Sequence, residues 1–509
     1  MEFKRVTQML DKAVNQTPDE IGFVDETGQM TYKQMQNQAF LVAQKIIETL
    51  SNKKGKIAII MPSGIAELAC LHGILYAGNV FSCIDDKMPN ERIYKIFDVL
   101  EPIAIITAVA SKEKTDSLNF NGPVIVYEDC FEIKSNIKLP EINTSEEASD
   151  EPAGIIFTSG STGTPKGVIQ SHKSLISVAV SYRDNIGVKQ IDNMGIQSPL
   201  YYGLGIHDTF IALSAGATCV YIPKAMFTEP AKLAPFILEN KISLVYWSTN
   251  AAMIASRFSI WEGYEEELSK TMRVISFAGD SPSTKLINKM RTALPAIDYY
   301  QCYGSTEYFY NFFNPIVGEI DDDSVVPIGS PAEFVRAYIF TDDKQLFEVC
   351  KENKGIEGQL CIEGSGLSLG YLKDEEGTKN KFCNHPAKSE VKILFTGDIV
   401  RINEDGKVIF KTRKDFMVKM MGHRIELGEI EITACSLDDT MQCACVFDKT
   451  KERIIMAYVG KYQEKELKKM LKDKLPAHMI PREIIKLDKL PLNPSNKIDR
   501  LKLQEMFIK

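Results

Sequence analysis

No stretch of the 509-residue chain approaches the ~20 consecutive apolar residues a bilayer-spanning helix requires, so membrane insertion is not expected. The opening Met1-Glu-Phe-Lys-Arg5 runs into a mixed amphipathic segment without the unbroken apolar core of a secretory signal, and a cytoplasmic location follows as the expectation. Cationic excess is missing as well. The net charge is −8 and the basic residues are dispersed apart from short runs such as Lys465 to Lys474, so no nucleic-acid partner is expected. That run reads instead as the solvated side of an amphipathic helix with Leu467, Met470 and Leu471 turned inward. The 11 cysteines are an odd set without framework spacing, which fits reduced thiols rather than disulfides. Their one tight pair, Cys443-Ala-Cys445, reads as a strand with two thiols on one face rather than half of a metal site. There is no internal repeat and no low-complexity tract. A Walker A loop is also absent, because the one glycine-rich stretch with a lysine has Pro165 before that lysine and Gly167 after it.

What is present is enough apolar residue, 44% of the chain, to bury two or three cores. Residues 31–50 carry helical spacing, and Lys56-Ile-Ala-Ile-Ile60 reads as a buried strand leading into a helix. The same alternation continues through 68–84, 91–108 and Pro123-Val-Ile-Val-Tyr127. It resumes from 168 to 300 with Ala217–Ile222, Ile242–Tyr246 and Arg273–Phe277 as strand candidates. Between them, about Glu132 to Pro152, the chain turns polar and acidic, as a surface crossing does. Short-strand, turn-rich sequence then fills 315–414. The expected fold is α/β: a large N-terminal body of βα-layered sheets, including a β-rich subdomain at about 315–414, and a small α+β domain in the final ~95 residues.

The stretch most charged with chemistry is Thr158-Ser159-Gly160-Ser161-Thr162-Gly163-Thr164-Pro165-Lys166-Gly167, which follows the strand-like Ala153-Gly-Ile-Ile-Phe157. Its glycines permit close backbone approach, its hydroxyls and N–H groups can converge on phosphate oxygens, and Lys166 adds a cation. A polyphosphate-wrapping loop is the reading that composition supports.

Six motifs in order, this loop, Tyr303-Gly304-Ser305-Thr306-Glu307, Thr396-Gly397-Asp398, Thr412-Arg413-Lys414-Asp415, Gly422-His423-Arg424-Ile425-Glu426 and Pro494-Ser-Asn-Lys497-Ile-Asp-Arg500, make the chain resemble the adenylate-forming superfamily along nearly its whole length. That superfamily includes acyl-CoA synthetases, peptide-synthetase adenylation domains and luciferases. The resemblance implies that ATP and a carboxylic acid form an acyl-adenylate with release of pyrophosphate. It implies that Thr158 and Lys166, with the rest of the loop (Ser159, Gly160, Ser161, Thr162, Gly163, Thr164), hold the β- and γ-phosphates. Glu307 would coordinate Mg²⁺, and Lys497 would touch the carboxylate and the bridging oxygens. Such a role suits a compact charge on a long stem, because joining two anions demands concentrated positive charge and alignment. Tyr303 would stack on adenine beside Gln301, Asp398 would accept both ribose hydroxyls and Arg413 would support the ribose, with Gly279, Asp280, Gly304, Ser305 and Thr306 completing the nucleotide site. Asp398 lies between Leu394-Phe395 and Ile399-Val400, a setting in which an acid needs a partner.

The resemblance also places the boundary between a large domain over 1–414 and a small C-terminal one over 415–509. For the second half-reaction it makes Asp415 a hinge about which the small, mobile domain rotates, bringing Gly422, His423 and Arg424 to a phosphopantetheine tunnel. The chain stops at Lys509 without a Gly-Gly-x-Ser acceptor sequence, so a carrier protein is expected to act in trans. Free CoA is the alternative acceptor. Segments such as Leu75–Ile84 look like peptide-synthetase or D-alanyl carrier-protein ligase modules, yet the position that holds an aspartate for an α-ammonium falls on Tyr202-Gly203. An ammonium without that anion would be desolvated at a cost of several kcal/mol. Tyr202–Gly205 and Gly304–Phe313 are instead similar to benzoate-type CoA ligases, and an aryl acid lying near Tyr202, Gly203, His207, Trp247, Cys302, Tyr308 and Tyr310 is the expectation. Asp208 could supply an anchor from a shifted position and restore a small amino acid or β-amino acid. Ile206–Ile211 reads as helical, however, and its pattern is expected to turn Asp208 away from the pocket. A luciferase-type oxidative reaction shares the fold and the adenylation step, and no residue specifically favours it.

Overall fold

In the computed structural model, the described residues are 2–132, 139, 143–158, 164–278, 282, 284–318, 320–321, 325–414, 417–437, 442–492 and 498–508, without the side chains of 132, 250 and 412. The chain divides into two compact units: Met1–Asp86, Glu101–Ile156 and Val168–Thr412 in one, and Lys87–Leu100, Phe157–Gly167 and Arg413–Lys509 in the other.

The first unit is α/β. Its nine-stranded sheet runs in the order Ser330–Pro331, Tyr308–Pro315, Asp298–Ser305, Val274–Ala278, Leu244–Ser248, Asn193–Ile196, Thr218–Tyr221, Ile21–Asp25, Gly28–Thr31. The strands from Asp298–Ser305 to Ile21–Asp25 pair in parallel, and antiparallel strands finish both edges. The central parallel strands are mostly apolar, as strands covered on both faces are, and Leu244–Ser248 and Val274–Ala278 are buried at every position. A six-stranded sheet is ordered Val124–Val126, Ala104–Thr107, Lys56–Ile60, Val80–Ile84, Pro152–Thr158, Lys166–Ser171. A third, antiparallel sheet gathers Leu346–Glu348, Val335–Phe340, Glu357–Gly364, Lys388–Ile402 and Phe382–His385, with Val408–Arg413 paired to its long strand. This sheet occupies the region whose sequence switches to short strands and turns.

In the second unit, Gln442–Asp448, Arg453–Val459 and Glu483–Lys486 form a three-stranded sheet. Cys443 and Cys445 do share one face of the first strand, facing a core with Ile425, Ile430, Leu467 and Leu471, while Ala444 faces another with Leu490 and Leu503. The lysine-rich run lies largely in the helix Glu464–Lys472, which buries Leu467 and Leu471. All eleven cysteines are free thiols. No helix among the described residues is long and apolar enough to cross a membrane.

Candidate active site

The helix Gly203–Ala215 and the antiparallel pair Asp298–Ser305 and Tyr308–Pro315 supply most of the candidate side chains. The pair slips register between Tyr303 and Ser305, and Tyr310 just beyond the turn takes φ +44°, a left-handed conformation that a bulky aromatic rarely adopts. Backbone strain of this kind persists only where surrounding contacts enforce it. Here Tyr310 is buried with its hydroxyl donating to Asp208 Oδ1 at 2.9 Å.

Gln301 and Tyr303 alternate along one strand and so share a face. Tyr303 donates its hydroxyl to Asp398 Oδ2 and accepts at 2.8 Å from the Tyr308 hydroxyl. Burial, then the Asp398 charge, raises the Tyr303 phenol well above its ordinary value, so that hydroxyl stays a donor. The Asp398 backbone N–H is held by Thr396 Oγ1 at 3.0 Å. Gln301 donates to the Cys302 carbonyl at 3.0 Å, and its Oε1 is buried without a partner. That is an acceptor available to an exocyclic amine, and it fits the base of a bound adenine nucleotide.

Glu307 is buried with both carboxylate oxygens engaged: Ser305 donates to Oε2 at 2.6 Å and Tyr371 to Oε1 at 2.6 Å. Two hydroxyl-bearing side chains orient this carboxylate, whose hard oxygens suit a divalent cation. Gln170 holds the Thr306 carbonyl at 2.6 Å, and the loop at Gly304 packs directly on the backbone of Tyr308 and Tyr310.

Gly203 meets Phe309: a Cβ there would stand 2.2 Å from the ring. The slot in which a carboxylate would have to be built is filled by an aromatic side chain. Phe309 in turn lies against His207, with ring centroids 4.0 Å apart. Burial pushes the His207 imidazole down to about 3, leaving it neutral, and neither ring nitrogen has a hydrogen-bond partner. Tyr310 also contacts Tyr182 and Tyr246, with centroids 5.0 Å and 4.8 Å away. Cys302 is buried in the same core, and Tyr202 caps the start of the helix, half-buried.

Two placements differ from the sequence reading. Asp208 is not turned away, because the helix is buried on nearly all sides from Gly203 to Ser214, and the carboxyl faces Tyr310. Trp247 does not join Tyr310 and His207. It packs with Val245, Ile275 and Phe277 in the second core, on the opposite face of the strand from Tyr246. Tyr246, Phe309 and Tyr371 were not anticipated. Strand alternation would have distinguished Tyr246 from Trp247, whereas Tyr371 comes close only through the tertiary bridge between Val168 and Tyr371.

Within the second unit, Thr158 Oγ1 donates to the Lys166 carbonyl at 3.5 Å, Thr164 is exposed and Lys166 half-buried. Arg413 ends the strand Val408–Arg413. Met421 and Gly422, both at positive φ, form the two-residue turn of the hairpin Met417–Met420 and His423–Glu426. His423 stacks on His478 at 4.1 Å, and Arg424 pairs with Glu426 at 3.5 Å. Ser159, Gly160, Ser161, Thr162, Gly163, Gly279, Asp280, Asp415 and Lys497 lie outside the described residues.

Residues 10–372 match the family model described as AMP-binding enzyme, and 429–497 match that of its C-terminal domain. Tyrocidine synthase 1 of Brevibacillus parabrevis is 27% identical over 99% of the chain, which spans 45% of that protein's length. The solved Vibrio cholerae adenylation domain AlmE, in complex with glycyl-adenosine-5'-phosphate, superposes with a TM-score of 0.83 at 19% identity, covering 98% of this chain and 97% of that one. An artificially fused adenylation–PCP di-domain, NpsA-ThdA from Klebsiella oxytoca, gives a TM-score of 0.81 at 21% identity over 99% of this chain and 96% of its own.

Proposed function

From the premise that this chain belongs to the AMP-binding enzyme family and is an adenylate-forming ligase, we propose that it activates an aryl acid with ATP and passes the acyl group to the phosphopantetheine thiol of a separate carrier protein. The observation that carries the nucleotide half is the buried, unpartnered Oε1 of Gln301 beside the Tyr303–Asp398 pair. In this reading Gln301 accepts from the adenine amine, Tyr303 packs on the base and Asp398 receives the ribose hydroxyls, with Arg413 supporting the sugar. Gly304, Ser305 and Thr306 line the α-phosphate side. The 158–167 loop, through its hydroxyls and Lys166, holds the outer phosphates.

A carboxylate oxygen of the acid attacks the α-phosphorus in line, the bond to the bridging oxygen breaks and pyrophosphate leaves. Lys497 is assigned the charge of the two anions as they meet. Glu307, oriented by Ser305 and Tyr371, would hold Mg²⁺, which supplies charge neutralisation at the phosphates. Rotation at Asp415 then brings Gly422, His423 and Arg424 to line the path of the incoming thiol, which attacks the acyl carbon and expels AMP. The acid lies among Tyr202, His207, Cys302, Tyr308 and Tyr310, with Tyr246 taking the wall first expected of Trp247 and Phe309 closing the place of an α-ammonium anchor. The carrier acceptor is supported by NpsA-ThdA, in which an adenylation domain of this fold is artificially fused to a PCP. Pyrophosphate exchange over a panel of benzoates and amino acids, followed by mass spectrometry of acyl-loaded carrier proteins and of acyl-CoA, tests both halves. Exchange with α-amino acids alone refutes the aryl acid, and acyl-CoA formation without a protein acceptor refutes the carrier.

A further inference from the structure

A buried carboxyl group normally spends both oxygens on partners, because an unpaired one forfeits its hydration for nothing. Asp208 spends one. Its residue is wholly buried, Oδ1 accepts from Tyr310 at 2.9 Å, and Oδ2 has no partner. Beside it in the helix, His207 is wholly buried with both nitrogens unpartnered. The surrounding walls are rings: Phe309 on His207, and Tyr182 and Tyr246 on Tyr310. Tyr310, whose hydroxyl meets Asp208, is also the residue with the strained backbone. Orphaned polar atoms, an aromatic enclosure and a strained residue coincide in the part of the protein that the proposed function gives to the acid.

We propose that the acid bears an O–H or N–H donor in addition to its carboxyl group, and that Asp208 Oδ2 accepts from it. The substrate class is then a hydroxy- or amino-substituted acid rather than a plain aryl acid, with Asp208 as the residue that selects it and Tyr310 as the residue that positions Asp208. This assignment rests on the adenylation reading of the site. It differs from α-amino-acid recognition, since the place next to Gly203 is closed by Phe309 and Asp208 lies about 1.4 turns further along the helix. Burial, the largest influence, raises the Asp208 carboxyl well above the carboxylate range, and a donor on Oδ2 would offset that burial.

The test compares matched acids in pyrophosphate exchange: benzoate with its ring-hydroxylated and ring-aminated isomers, and butyrate with 3-hydroxybutyrate and 3-aminobutyrate. The hydroxy and amino arms identify which donor is used, and the aliphatic series shows whether the ring is needed. For wild type, at least one donor-bearing acid is expected to exceed its parent in kcat/KM by about 10-fold or more, the usual effect of leaving a buried polar group unpaired. Asp208→Asn keeps the shape and the bond from Tyr310 but turns a donor toward the ligand, so this ratio is expected to collapse to about 1 while exchange with the parent acid persists. Tyr310→Phe is expected to shrink the ratio without abolishing it. Equal exchange with parent and substituted acids, or a ratio unmoved by Asp208→Asn, overturns the inference and leaves the adenylation reading standing. Failure of every acid to support exchange overturns that reading, and this inference with it.

Discussion

Gly203 offers a test of the pocket that needs no substrate. A methyl group at this position would lie 2.2 Å from Phe309 Cζ and 2.7 Å from Cε2, where unstrained carbons stand about 3.5–4.0 Å apart. The ring cannot swing into solvent, being buried against His207. Overpacking of this kind costs about 1–3 kcal/mol, and alanine over glycine in a helix returns about 1 kcal/mol at most, less at the first helical residue. Gly203→Ala should therefore destabilise the parent by about 1–2 kcal/mol, the reverse of the usual effect of this change. In a Phe309→Ala background the clash is gone and the same substitution should be neutral or slightly stabilising, giving a coupling of about 1–3 kcal/mol. Urea titration of the four proteins measures it, and tryptophan fluorescence suits the purpose because both tryptophans, Trp247 and Trp261, are buried in the first unit. An equal penalty in both backgrounds, or no penalty in the parent, would refute the claim that Phe309 occupies the space beside Gly203.

Glu307→Gln should lower acid-dependent pyrophosphate exchange by about 10²–10³-fold, whereas Tyr371→Phe, which removes one donor from that carboxylate, should cost about 10-fold or somewhat more; steady-state kinetics at saturating ATP distinguishes the two. Glu67 is wholly buried, and burial, with Asp85 and Asp86 adding repulsion, pushes its carboxyl up to about 8. The unfolded chain releases this proton near the ordinary 4.5 and the folded chain only near 8, so stability should fall as pH rises between those values, by at most about 5 kcal/mol. Glu67→Gln should flatten that slope in urea midpoints taken at pH 6 and pH 9. In the second unit Arg500 grips Glu431 with bonds of 2.6 and 2.7 Å, both side chains largely buried. Arg500→Met should destabilise that unit by about 2 kcal/mol, a partly screened version of breaking a buried pair, read as faster hydrogen exchange in the strand Arg453–Val459 with the fluorescence transition unchanged.

How much of this was legible in the sequence depends on the range of the interactions involved. Strand existence was readable wherever four or five consecutive apolar residues sat between turn residues, as at Lys56–Ile60, and the alternation of Cys443, Ala444 and Cys445 correctly gave the two faces of their strand. Strand ends were displaced by a residue or two, as at Leu244–Ser248, because pairing partners rather than composition set them. The residues proposed for the nucleotide were read from motifs. The pocket was less legible. Tyr246 and Trp247 are equally aromatic neighbours, and only their alternation across the strand sends one toward Tyr310 and the other into the second core. Asp208 was misplaced because an acid in a helix is ordinarily solvated, and this helix is buried on almost every side. Nothing local to Tyr371 announces its bond to Glu307, which depends on contacts between segments distant in sequence.

The central claim is that a carboxylate oxygen of the substrate attacks the α-phosphorus of ATP. A substrate labelled with ¹⁸O in both carboxyl oxygens, turned over once through to the thioester, tests it: AMP is expected to carry one ¹⁸O atom. Label in inorganic phosphate, or AMP free of label, would contradict the account.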